Sequence, residues 1–218
     1  FASHFANVLN PNRSHRSLLF FAALYHDVCK PETKSVDEDG RIRFFDHDTK
    51  GADAVAERAR SLNLSNDEIE RLHKIVLHHM RIHFFADRLE EEKQPPSRKA
   101  IYRFFRDSGA AGVDLVLLAL ADVRGTRGND ITQDTWTAYL EIARILFENY
   151  WERPQEVVDP PRLINGNDLM KELQLKPGKI VGQLLEVIRE NQAAGKITDR
   201  EQALLFAREE LTKGMSET

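Results

Sequence analysis

The chain has 218 residues, of which 41% are hydrophobic and 30% charged, an ordinary globular balance with enough apolar material for one substantial core or two small ones. Its formal net charge of -4 supplies no global attraction to nucleic acid, so any RNA contact must come from a local basic surface. A single cysteine, Cys29, excludes an intrachain disulfide, and the lack of a leader or long apolar run makes a reducing cytoplasm the expected setting, with no membrane partner.

The opening Phe1-Ala2-Ser3-His4-Phe5 reads as the middle of an amphipathic helix, which suggests a chain continuing upstream, and an Asn10-Pro11-Asn12 break follows. Leu18, Leu19, Phe21, Ala22, Leu24 and Tyr25 recur at helical spacing, placing His26-Asp27 at the end of a largely buried helix that Pro31 is expected to stop. The acidic turn Asp37-Glu38-Asp39-Gly40 separates Thr33-Val36 from Arg41-Phe44, which can pair as a small hairpin, the one sheet expected. A helix from about Asp46 to Ser61 follows. Ser65 with Glu68 then forms a capping-box pattern that opens another, reaching His78-His79-Met80.

Pro95-Pro96 breaks the chain before a basic-aromatic helix around Arg98-Arg106, which reads as amphipathic packing ahead of an RNA platform. An apolar helix from Val113 to about Val123 carries Asp122 near its end, and a further helix runs from about Thr132 to Trp151. Pro154, Pro160 and Pro161 mark a linker; Asn165-Gly166-Asn167-Asp168, Pro177-Gly178 and Gly195 punctuate three more short helices, with fraying expected after Leu211. The expected fold is therefore all-α: a helical bundle over residues 1-155 with at most one small β-hairpin, then a short helical C-terminal subdomain over 156-218.

Adjacent His26 and Asp27 can both ligate a divalent cation, and His47, His78-His79 and Asp122 keep them company. The bland alternatives are a capping pair at a helix end, a histidine bonding backbone at a helix start, and a packed histidine. Asp122 is the exception: a carboxylate near a helix C-terminus opposes the dipole unless a cation neutralises it. A mixed His/Asp set suits Mg, Mn, Ni, Co or Fe and leaves positions open for phosphate oxygens. Cys29 reads as an inert buried thiol.

The order His-Asp, His, His, distant Asp resembles the HD superfamily of metal-dependent phosphohydrolases. His26-Asp27-Val28-Cys29-Lys30-Pro31-Glu32-Thr33 is similar to the HD-x-G-K-P-E-T form of the tRNA nucleotidyltransferase branch, CCA-adding or poly(A) polymerase-like. Gly40-Arg41-Ile42-Arg43-Phe44-Phe45-Asp46-His47 and His79-Met80-Arg81 extend the resemblance. Leu163-Ile164-Asn165-Gly166-Asn167-Asp168-Leu169, followed by Leu175-Lys176-Pro177-Gly178-Lys179-Ile180-Val181-Gly182, resembles that branch's L-x-G-x-D-L and K-P-G-x-x-x-G segment, which ordinary HD phosphohydrolases lack.

Two departures stand out. Cys29 occupies the family's glycine position, and the superfamily's first histidine belongs on an earlier helix, where only His4 and His15 are present. That ligand is expected upstream of Phe1, with His4 as the alternative and His15 too close.

The resemblance implies an HD-type bundle in which His26, Asp27, His47, His79 and Asp122 hold a divalent metal, with Asp27, Lys30 and Arg81 in catalysis. The implied reaction is hydrolysis of phosphate mono- or diesters such as 2′,3′-cyclic nucleotides. The alternative it implies is a non-catalytic module that positions tRNA for an upstream nucleotidyltransferase head in the parent chain.

Overall fold

A computed structural model describes residues 1-10 and 13-216; Pro11 and Asn12, in the expected break, lie outside the described residues, as do 217 and 218. The chain opens with α1 (Ala2–Ala6) and an antiparallel pair, β1 (Val8–Asn10) with β2 (Arg13–Ser14), a hairpin additional to the one legible in the sequence. The Ser14 hydroxyl accepts from the Ser17 amide and so caps α2 (His15–Tyr25), which buries Leu18, Leu19 and Ala22. α2 stops at Tyr25, ahead of the expected proline stop. Pro31 instead sits in the first turn of a short α3 (Lys30–Thr33), where a missing amide hydrogen costs nothing.

The expected hairpin forms from β3 (Lys34–Val36) and β4 (Ile42–Phe44), with Lys34 opposite Phe44 and Val36 opposite Ile42. α4 (His47–Ser61) follows, and the Ser65–Glu68 capping box opens α5 (Asn66–His78). His79 alone separates α5 from α6 (Met80–Glu92), a helix the sequence did not announce. The remaining helices are α7 (Arg98–Ser108), α8 (Gly112–Arg127), α9 (Gln133–Trp151), α10 (Gly166–Leu173), α11 (Lys179–Ala193) and α12 (Arg200–Ser216), the last continuing beyond Leu211. The described residues are thus all-α apart from two small hairpins. None of their helices is long and apolar enough to cross a membrane.

The chain divides into two compact units, Phe1–Pro95 with Asp107–Ala143, and Pro96–Arg106 with Arg144–Thr218. In the first, α4 packs along α5: Gly51, Ala52, Val55, Ala56 and Ala59 form a buried small-residue face, and Leu72, Ile75 and Val76 are buried on α5. Two buried carboxylates brace this unit. Asp114, in the first turn of α8 and 0% exposed, accepts from Arg71 Nε at 2.7 Å and meets His4 Nε2 at 2.7 Å. Glu68 accepts from two Arg13 nitrogens, Nε at 2.6 Å and a terminal nitrogen at 2.8 Å, and the bond to Arg13 holds its pKa at about 2.

The second unit has its own core of Leu169, Val181, Leu184, Ile188, Leu204 and Ala207. Asn165 Oδ1 accepts from the Asn167 and Asp168 amides while Asp168 accepts from the Asn165 amide, a reciprocal cap on α10. On α7, Ile101, Tyr102, Phe104 and Phe105 are buried, and its cationic face is gathered by one carboxylate: Glu190 bonds Arg103 at 2.6 Å, Lys99 at 2.9 Å and Arg106 at 3.0 Å.

Candidate metal centre

Three histidines in the first unit stand at helix ends and bond alike. His26 follows α2, His47 begins α4 and His79 joins α5 to α6. Each Nδ1 faces the carbonyl three residues earlier: His26 that of Ala23 at 2.8 Å, His47 that of Phe44 at 2.7 Å, His79 that of Val76 at 2.7 Å. A carbonyl only accepts, so each neutral ring carries its proton on Nδ1 and presents a bare lone pair at Nε2. This is how a ligating imidazole is oriented by its outer hydrogen bond.

Those lone pairs meet around Asp27. Its Oδ1 lies 3.6 Å from both His47 Nε2 and His79 Nε2, and its Oδ2 lies 3.3 Å from His26 Nε2 and 2.6 Å from Lys30 Nζ. Asp122, on α8, places Oδ1 3.5 Å from His26 Nε2 and Oδ2 3.4 Å from His83 Nε2. Two triads result, Asp27/His47/His79 and His26/Asp27/Asp122, each with donor atoms within 4.8 Å of one another. They share Asp27, which turns Oδ1 to His47 and His79 and Oδ2 to His26 and Lys30.

The donor set fits a divalent cation on two observations. His47 Nε2 and His79 Nε2 are 3.2 Å apart with both Nδ1 atoms committed to carbonyls, so two lone pairs face each other unless a proton or a metal ion stands between them. His26 Nε2 and Asp27 Oδ1 are buried without a hydrogen-bond partner. Electrostatics agree. Burial opposes charge on His26, but the Asp122 and Asp27 carboxylates outweigh it and raise its pKa to about 10; burial also opposes charge on Asp27, whose carboxyl is nonetheless held well below the usual range by His26, His79 and Lys30. Without a metal ion the centre draws protons, and a cation would occupy the same electrostatic well.

The five residues expected as ligands, His26, Asp27, His47, His79 and Asp122, are brought together, and Lys30 is on Asp27 with its ammonium 5.7 Å from the Phe44 ring centroid. Arg81 is ion-paired with Asp107 at 2.8 Å. His4 is engaged with Asp114, and its ring packs edge-on against that of His15 at 5.1 Å. Cys29 is buried, and burial pushes its thiol pKa up, as an inert thiol requires.

His83 was missed. It stands one helical turn beyond His79 on α6, its Nδ1 is 2.6 Å from the Tyr139 hydroxyl, and burial lowers its pKa. The i, i+4 spacing of His79 and His83 was the available signal. Beside Asp122 a cleft of about 250 Å³ opens, lined by Lys30, Met80, His83, Arg127 and Tyr139, large enough for a small phosphoester.

Residues 49-207 match the family model for tRNA nucleotidyltransferase domain 2. The match includes His79 and Asp122 and begins after His26, Asp27 and His47. The chain is 34% identical over 186 residues to a CC-adding tRNA nucleotidyltransferase of Thermus thermophilus, covering 85% of this chain and 38% of that one. It is 30% identical over 190 residues to an A-adding tRNA nucleotidyltransferase of Deinococcus radiodurans, covering 87% of this chain and 41% of the relative. A CC-adding tRNA nucleotidyltransferase of Synechocystis sp. is 28% identical over 177 residues, covering 78% and 39%. The chain thus spans about two fifths of the length of these relatives. With most of its length inside the family match, the chain belongs to the tRNA nucleotidyltransferase family.

Proposed function

We propose that this chain is the helical body and tail of a tRNA nucleotidyltransferase, which holds tRNA in place for a catalytic head elsewhere in the parent chain. The observation that carries the reading is the extent of the family match, which runs through both compact units. In this reading residues 1-155 form an HD-type region and 156-218 a tail that carries the Asn165–Asp168 cap and the Lys176-Pro177-Gly178 turn.

A second reading has its own support in the facing Nε2 atoms of His47 and His79: an HD-type centre that hydrolyses phosphate mono- or diesters such as 2′,3′-cyclic nucleotides. His26, Asp27, His47, His79 and Asp122 would hold the ion. A bound divalent cation supplies Lewis acidity toward a phosphoryl oxygen and toward water. The chain's own part is to fix three imidazoles in one tautomer, to hold Asp27 ionised and to place the Lys30 ammonium where phosphate charge develops. Arg81 joins it only by leaving Asp107.

One pair of proteins tests both readings. Wild type and Asp27→Ala are compared for tRNA affinity across a salt series and for hydrolysis of a 2′,3′-cyclic nucleotide with Mn²⁺ or Ni²⁺. Equal tRNA affinity, falling linearly in log–log form with salt, supports the positioning module; absence of tRNA binding by wild type overturns it. Hydrolysis lost in Asp27→Ala supports the second reading, and unchanged or absent turnover removes it.

A further inference from the structure

Gly182 closes the Lys176-Pro177-Gly178 … Gly182 pattern, yet its local backbone makes no demand for glycine. It lies within α11, where glycine is less favourable than alanine; its φ is not positive, and a Cβ there would meet no atom within 4 Å. The space beside it is a cleft of about 180 Å³ between the segment from Arg162 to Gly166 and one face of α11. Leu163 and Leu185 supply apolar wall, and Arg162 supplies charge, the Arg189 guanidinium being paired with Asp159.

Two polar atoms of cleft residues, Arg189 Nε and Gln192 Oε1, are buried and have no hydrogen-bond partner. The rest of each side chain is fixed. A terminal nitrogen of Arg189 bonds Asp159 at 2.5 Å, and Gln192 Nε2 donates to the Pro161 carbonyl at 2.7 Å, which can only accept and so sets the amide's orientation. A donor and an acceptor are thus left unmet on two residues that line the cleft, which costs free energy. Glu186, the acidic residue of the lining, is neutralised by Arg106 at 2.6 Å.

We propose that this cleft takes one unpaired nucleotide of an RNA, with the base over Gly182 and Leu185 and the phosphate against Arg162. A nucleobase combines a flat apolar face with donor and acceptor edges, and unstacked bases are what proteins read in single-stranded RNA. The choice of RNA over a free nucleotide rests on the reading of the chain as a tRNA-positioning body.

The test compares tRNA binding by wild type, Gly182→Leu and Arg162→Met, with thermal unfolding alongside. Gly182→Leu is expected to melt no lower than wild type, because leucine is the better helix former and meets open space, and to bind tRNA at least tenfold more weakly. Arg162→Met is expected to weaken binding a few-fold and to make the salt dependence shallower. Wild-type affinity in both variants overturns the cleft and leaves the tRNA reading standing; failure of wild type to bind tRNA overturns that reading and this inference with it. Adenosine monophosphate is added as a competitor: saturable binding of it that tRNA does not displace overturns RNA as the occupant.

Discussion

A Cβ at Gly51 would stand 3.2 Å from Val76 Cγ1 and 3.6 Å from the His26 carbonyl oxygen, so glycine is what lets α4 lie against the end of α2. Val76 is fully buried and cannot swing aside, and its own carbonyl holds the His79 ring. Gly51→Val is therefore expected to cost about 1–3 kcal/mol by overpacking and to weaken cation binding, because the crowded groups are the His26 backbone and Val76, the residue whose carbonyl aims His79. Denaturant unfolding and Mn²⁺ titration check the two effects; a variant with wild-type stability and affinity would show the contact to be slack. Asp46, at a left-handed φ of 60°, is the complementary constraint, turning the chain from β4 so that His47 enters the centre. Residue types were legible here: His26 and Asp27 are adjacent, and their apolar helix announces itself. The shared tautomer was not, because it depends on each Nδ1 reaching a carbonyl three residues back at a helix end, a matter of backbone geometry. His83 escaped because its partners, Asp122 and Tyr139, are distant in sequence.

At the scale of elements, α7 shows what periodicity reveals and what it withholds. Its alternation of cations and aromatics was readable as an amphipathic helix. Its partner was not, since Glu190 lies 87 positions from Arg103. That carboxylate is 4% exposed, and bonds from Arg103, then Lys99, hold its pKa at about 2 against burial. A depressed folded pKa gives stability that is present above the unfolded value near 4.5 and lost as pH falls toward 2. The shift corresponds to about 3 kcal/mol at most, and solvent screening of the half-exposed Arg103 and Lys99 brings it to about 1–2 kcal/mol. The unfolding midpoint should therefore drop between pH 4.5 and 2, with a flatter drop in Glu190→Gln; parallel pH profiles for the two proteins would dismiss the pairing as a stability device. α6 was unreadable for a different reason. Only His79 separates it from α5, without a glycine or proline between, so the pattern gives no stop and no second start.

For the molecule as a whole, the two compact units and the two tryptophans give a way to ask where a metal ion acts. Trp136 belongs to the unit that holds the His/Asp centre, and Trp151 to the unit with the Leu169–Ile188 core. Two units with separate cores need not unfold as one, so a single midpoint can average two transitions. With Trp151→Phe the fluorescence reports the first unit; with Trp136→Phe it reports the second. A cation that binds only the folded centre, supplied at a hundredfold over its dissociation constant, adds about 2.7 kcal/mol to the stability of what it binds. The expected result is a rise of that size in the Trp136-reported transition on adding Mn²⁺ or Ni²⁺, reversed by chelator and missing in Asp27→Asn, with a smaller shift or none in the Trp151-reported transition. A Trp136 transition indifferent to every cation tried would remove metal from the centre and leave the facing histidines to be bridged by a proton. Equal shifts at both probes would keep the metal and show instead that the units unfold together. The two outcomes are separable because each reporter sits in one unit, and because Asp27→Asn removes the carboxylate charge that both triads share without touching either tryptophan.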